Sequence, residues 1–261
     1  MPYHVLLTRP IEDSQHLAHI LAQENIHSLH APMMDIVFDP TLPFSSIPAT
    51  AQACLFTSAY GVEALIRRTK KRLPSLTIGP HSAHRAKRHG FTPVTSGDGR
   101  RTSLLQQALR HMTPDAGSLY HPCATVHADK TTRMLTDYGF TIHSIPLYQA
   151  VPRTTLPHAV KDALCHNAID AVLFFSARTA ALFKVTLAKE DIPAQWMTSL
   201  HAFALNDSTA TILRPLAFKA IHCAKRPTQH HMLESLRAHL KQETRHQCLT
   251  PRHQNAKERE K

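Results

Sequence analysis

The sequence predicts an α/β protein made of two similar parallel-sheet domains joined by a pair of extended linkers, with the first domain built from both chain ends. Three observations carry this prediction. Short β-prone apolar runs alternate with amphipathic helical stretches along the chain, the pattern of parallel strands covered by helices. Two segment types each occur twice. Their order is first type, second type, first type, second type, so one domain forms from the middle of the chain and the other from its ends.

The strand candidates are Val5–Leu7, Ala53–Phe56, Leu76–Ile78, Ser118–Tyr120, Thr141–Ile145, Ala171–Phe175, Ala202–Leu205 and Ala220–Cys223. Between them, Glu12–Gln23, Ser103–Met112, Asp129–Tyr138 and Gln229–Leu240 carry apolar residues at helical spacing. The first repeated segment is a helix end, a short strand and a proline. It begins at Leu21 and reaches Pro32, then returns from Leu135 to Pro146. The second is a strand ending in a hydroxyl residue at a helix start: Ala53–Gly61, with Thr57 and Ser58, matches Val172–Thr179, with Ser176. A second such turn follows each copy, around Gly79, His81 and Ser82 and around Asn206, Ser208 and Thr209. The expected boundaries are residues 1–33 and 152–240 for the first domain and 38–146 for the second. Residues 34–37 and 147–151 form the linkers, β-prone and beside prolines.

Composition narrows the function. With 261 residues, 43% hydrophobic and 19% charged, the chain can bury a core in each half. The longest clear apolar run, Ala171–Phe175, is a buried strand and not a membrane span. The N-terminus lacks the pattern of a secretory signal. Five scattered cysteines, never spaced as CxxC, suit a reducing cytosol, so a cytoplasmic location is expected. Cys54 and Cys223 fall in apparent strands and are expected to be small buried apolar groups. Net charge is +11, with 21 histidines besides, which points to an anionic partner. Part of the excess lies in residues 241–261, read as a disordered basic tail. His27, His30 and the pair His230 and His231 have no carboxylate or cysteine at ligand spacing, so no metal site is expected.

In open α/β sheets, ligands bind beyond the carboxyl ends of the strands, where helix starts present backbone N–H groups. Thr57, Ser58, Gly79, His81, Ser82, Ser176, Asn206, Ser208 and Thr209 all stand at such places. Serine and threonine there also serve as plain N-caps. Four such turns on two facing domains would nevertheless line a cleft suited to several carboxylates. No GxGxxG, GxxxxGK[ST] or GxSxG motif occurs, which leaves nucleotide-binding and serine-hydrolase readings without support. Aromatic content of 6% without clustered stacking residues gives nucleic-acid binding little help.

Together these segments resemble the uroporphyrinogen-III synthase family, from about Val5 to Leu240. The resemblance rests on Leu7-Thr8-Arg9-Pro10, Phe56–Val62, Ile78–Ala83, Leu147-Tyr148, Phe174-Phe175-Ser176 and the Ser208-Thr209-Ala210 turn. It implies two α/β domains and ring closure of hydroxymethylbilane, a linear tetrapyrrole with eight carboxylates, to uroporphyrinogen III. Water is lost and the last pyrrole is inverted, with no metal or organic cofactor and with the chain acting as a monomer. It adds Arg9 to the substrate-binding set. It also points to Tyr148, in the second linker, as the donor assisting loss of the hydroxyl; Tyr148 is expected at the mouth of the cleft and outside either core. The chain departs from the family pattern at Asn206-Asp207, where glycine is common. In the Pro122–Lys130 loop, Cys123 and Ala128 replace a glycine and an arginine, with His127 or Lys130 as substitute charges. The alternative reading is a non-catalytic two-domain protein binding a small polyanion.

Overall fold

The structure, a computed structural model, describes residues 2–126 and 130–249, and side chains as far as Glu243. The chain opens with β1 (Tyr3–Leu7), α1 (Ile11–Ala22) and β2 (Ile26–His30), then leaves through β3 (Met34–Val37). A second unit follows: β4 (Ala51–Phe56), α2 (Ala59–Ile66), β5 (Ser75–Thr77), α3 (Pro80–Arg88), β6 (Val94–Ser96), α4 (Arg101–His111), β7 (Ser118–Ala124), α5 (Lys130–Asp137) and β8 (Ile142–Pro152). The chain then returns with α6 (His158–Cys165), β9 (Ala171–Phe174), α7 (Ala177–Lys189), β10 (His201–Ala204), α8 (Asp207–Leu213), β11 (Ala220–Cys223) and α9 (Gln229–Leu249).

Two sheets result. The first runs β11-β10-β9-β1-β2, all parallel, and pairs Val5–Leu7 with Ala171–Leu173. The second runs β3-β8-β7-β4-β5-β6, parallel except where β3 meets β8. The inner strands β4, β5, β7, β9 and β10 are buried on both faces. In β1, Val5 and Leu7 join Leu17, Met232 and Leu236 on one face, while Leu6 joins Phe174, Phe183 and Leu213 on the other. In β4, Cys54 and Phe56 pack with Val62, Leu65 and Phe91, while Ala53 and Leu55 pack with Leu104 and Leu135. A Cβ at Gly61 would stand 2.6 Å from the Pro122 carbonyl oxygen, so only glycine lets α2 press this closely on β7.

The two crossings pair with each other. From Ile142 to Tyr148, β8 runs parallel to β7, and from Gln149 to Pro152 it runs antiparallel to β3. Arg153 forks onto Asp35 with two bonds of 2.9 Å at the end of this ribbon.

Several expectations change. Pro122–Ala124 is the end of β7 and not a loop, because the strand stays paired with β8 as far as Ala124. His127 and Ala128 lie outside the described residues. Cys54 is buried, but Cys223, at the end of an edge strand, is exposed. The basic segment from 241 begins as helix, since α9 continues through Leu249; residues 250–261 lie outside the described residues. Among the described residues no helix is long and apolar enough to cross a membrane.

Candidate functional site

The parallel strands of each sheet end along one edge, and the two edges face each other. The first turns of α1, α2 and α3 meet there around one carboxylate. Asp13, in the first turn of α1, accepts from Arg9 Nη2 at 2.8 Å and from the Tyr60 hydroxyl, in the first turn of α2, at 2.8 Å. His81 Nε2 and Arg85 Nη2, both on α3, stand 3.8 and 3.9 Å away. Three helix N-termini and two guanidinium groups make this an anion-holding place. Burial pushes the Asp13 carboxyl up, but Arg9, the Tyr60 hydroxyl and His81 outweigh it and hold it below the usual aspartate range. The Tyr60 phenol is pushed the other way, first by burial and then by Asp13. Arg85 also binds Glu63 at 2.5 Å, and Glu63 lies 3.2 Å from His89.

Arg9 is held from three sides: Asp13, Gln229 Oε1 at 2.9 Å, and the Phe175 ring 4.6 Å from its guanidinium carbon. Ser58 caps α2, accepting from the Tyr60 N–H at 3.2 Å. Ser176 caps α7 and Asn206 caps α8, each accepting from a threonine N–H at 3.0 Å. Ser208 donates to Asn206 at 2.8 Å. Gly79 precedes Pro80 at the start of α3, and a Cβ there would meet the Gly99 backbone at 3.1 Å. Thr57 reaches His121 Nε2 at 3.0 Å, whose Nδ1 lies 3.2 Å from Ser144. Ser82 and Thr209 are buried. Arg9, Ser58, His81, Ser176, Asn206 and Ser208 thus stand at helix starts along the edge, with Thr57 just before the α2 cap and Ser82 and Thr209 buried in their first turns.

Tyr148 differs from expectation. It is 6% exposed and belongs to the apolar cluster of the second sheet, with the Phe38 and Tyr60 ring centroids 6.3 and 6.2 Å away. The cause is the change of partner in β8: Tyr148 is the last residue paired with β7, so its ring turns into the sheet's own core. Burial pushes its pKa up, against an opposing effect of the Ser58 side chain.

Asp13, Tyr60, Glu63 and Arg85 were not singled out from sequence. The Arg9 and Asp13 spacing of four, astride a helix start, was the one local sign of them. An open groove of about 660 Å³ between α3 and α4, lined by His84, Lys87, Ser96, Asp98, Ser103 and Gln107, holds none of the expected residues. Spacing also missed three histidines that meet at the far end of the first sheet: His201, His222 and His239.

A family profile described as "Uroporphyrinogen-III synthase HemD" matches residues 15–234. No curated protein matches the chain. Among solved structures, a uroporphyrinogen-III synthetase from Helicobacter pylori is similar with a TM-score of 0.59 and 16% identity. That likeness covers 91% of this chain and 99% of the other. A mutant uroporphyrinogen III synthase from Thermus thermophilus is similar with a TM-score of 0.54 and 17% identity, covering 92% and 99%. At such identity these likenesses speak to the fold, and they agree with two α/β units. The profile spans most of the chain, including both strand-end turns of the second sheet and those of β9 and β10: the chain belongs to the uroporphyrinogen-III synthase family.

Proposed function

We propose that the chain closes hydroxymethylbilane into uroporphyrinogen III, acting as a hydro-lyase between its two sheets. One structural observation carries this reading beyond family membership: helix starts and cations from both halves converge on a single carboxylate, Asp13. A substrate with many carboxylates could be held at the same edges by Arg9, His81, Arg85 and the N-cap residues Ser58, Ser176, Asn206 and Ser208. Thr57, Gly79, Ser82 and Thr209 would contribute through the backbone geometry they fix.

The substrate loses its hydroxyl, and the carbon–oxygen bond takes the electron pair with the leaving oxygen. Tyr148 is our choice for the proton donor. Burial keeps the phenol neutral, and its ring stands beside Tyr60, whose hydroxyl meets Asp13. Loss of water leaves a cationic methylene pyrrole, which the substituted α-carbon of the last pyrrole attacks to give a spiro intermediate. The old bond from that carbon to its methylene bridge then breaks, the freed methylene bonds the ring's other α-carbon, and the proton of that carbon leaves, replacing the one the donor gave. The chain's part is to hold the spiro intermediate so that the ring re-bonds inverted, which is orientation more than covalent catalysis. The reading requires no cofactor in the cleft and treats the chain as a cytoplasmic monomer. Nothing in the site favours the non-catalytic polyanion-binding alternative.

The decisive assay supplies hydroxymethylbilane and measures the isomers formed. Type III product in excess over the spontaneous type I isomer is expected, and type I alone would refute the proposal.

A further inference from the structure

Three histidines that take no part in the cleft meet at the opposite end of the first sheet. His201 opens β10, His222 lies on the edge strand β11 and His239 on α9. Phe203 pairs with His222, so His201, Phe203 and His222 share the face that α9 covers. On α9, Met232, Leu236 and His239 follow at helical spacing along the buried stripe. The ring centroids of His201 and His239 are 4.0 Å apart, and those of His222 and His239 5.0 Å. One nitrogen from each of the three lies within 4.8 Å of the others. Glu243, one turn beyond His239, brings Oε1 to 3.6 Å from His201 Nε2 and 3.5 Å from His239 Nε2.

As pure packing this cluster is unsatisfied. His201 and His239 are 7% exposed, and the Nε2 atoms of both are buried without a hydrogen-bond partner. Their separations from the Glu243 oxygen are too long for hydrogen bonds. His201 Nδ1 and His222 Nε2 lie 3.0 Å apart, a separation that two ligands of one ion also take. The Tyr3 hydroxyl, whose ring stands edge-on to His239, is likewise buried without a partner.

We propose that His201, His222 and His239 bind a divalent first-row transition ion of the zinc class. Nitrogen ligands sit about 2.0–2.1 Å from zinc, so tetrahedral ligand atoms are roughly 3.3–3.4 Å apart. The 3.0 Å between His201 Nδ1 and His222 Nε2 is within a few tenths of an ångström of that. Three imidazoles suit zinc, cobalt or nickel and not the oxygen-seeking calcium or magnesium. Burial pushes all three ring pKa values down, His201 to about 4, so the lone pairs are available without displacing protons at neutral pH. Glu243 stands beside the outer Nε2 of His201, where a carboxylate orients a metal-bound imidazole. With ligands from β10, β11 and α9, the ion staples α9 to the two strands, and water completes its shell.

The test uses the full chain, stripped by chelator and titrated with zinc chloride, and with cobalt(II) chloride as a coloured probe. One equivalent should bind, with the intense visible bands of tetrahedral cobalt. At about a hundredfold excess over Kd, zinc should raise Tm by roughly 5–10 °C. His239→Leu and His222→Gln should each weaken cobalt binding at least about tenfold and lose those bands. If His239→Leu does not fold, His222→Gln on the partly exposed edge strand decides alone. Absence of the bands and of the Tm rise in the unaltered chain would overturn the proposal. So would variants that bind as the unaltered chain does, because other surface histidines would then be the ligands.

Discussion

Asp13 presents a negative charge inside the cleft assigned to a polyanion, and this opposition sets the expectations for single residues. Its carboxyl is held below the usual range by Arg9, Tyr60 and His81 against the effect of burial. The stability it contributes is therefore full above the unfolded aspartate pKa, about 3.9, and is lost as pH falls through the lower folded value. Asp13→Asn keeps an acceptor for the Tyr60 hydroxyl and removes the charge. KM for hydroxymethylbilane should fall about threefold to tenfold with kcat little changed; a rise in KM would mean that Asp13 chiefly positions Arg9. Tyr148→Phe keeps the ring in its apolar cluster and removes only the hydroxyl. Turnover should fall by about 10²-fold, the low end of general acid help. Turnover within a factor of two, with unchanged isomer selectivity, would leave Tyr148 a packing residue only. The caps were legible because Ser58, Ser176 and Asn206 satisfy N–H groups two or three residues away. The bridge from Asp13 to Tyr60 spans 47 residues and two sheets, and no local pattern announces it.

Among the elements, α9 shows most clearly what local pattern could and could not reveal. Its apolar stripe was readable from Gln229 to Leu240, but its continuation to Leu249 was not, since that segment is mostly polar and continues as helix with few apolar residues to mark it. β6 escaped notice because three partly exposed residues show no alternation. The histidine cluster escaped because His201 and His222 are neighbours through strand register, not through sequence spacing. α9 should respond to acid in metal-free protein. His201, His222 and His239 have ring pKa values lowered by burial, so below about pH 6.5 the unfolded chain binds more protons than the folded one. Stability from this face is lost as pH falls from about 6.5 towards 4. The facing groups are Glu243 and Asp170, which oppose the shift of His239, Lys219, which adds to it, and Tyr3, whose hydroxyl stays neutral. Amide exchange in residues 229–243 should rise between pH 7 and pH 5, more than in α4; equal change in both helices would disprove the local effect.

For the whole molecule, the doubled segments around Pro32 and Pro146, and around Thr57 and Ser176, made the alternation of halves readable. We read residues 1–33 with 152–240 as one domain and 38–146 as the other. The degree of closure was not readable, because it rests on contacts such as Tyr60 with Asp13 and the approach of Gly99 to Pro227. A net charge of +11 facing a substrate with eight carboxylates should make binding salt-dependent. Raising ionic strength from about 0.05 to about 0.5 M should raise KM several-fold, with kcat changed less. A KM insensitive to salt would place recognition in hydrogen bonds and shape instead.

The pairing of β1 with β9 also orders events on the ribosome. Thr8 waits for Leu173, its hydrogen-bond acceptor 165 residues downstream. At about 5–20 residues per second, that is roughly 8–33 s of synthesis. Meanwhile β4 to β8 emerge in sequence and can assemble among themselves. The Val5–Leu7 edge thus stays without its β9 partner while the second sheet is made.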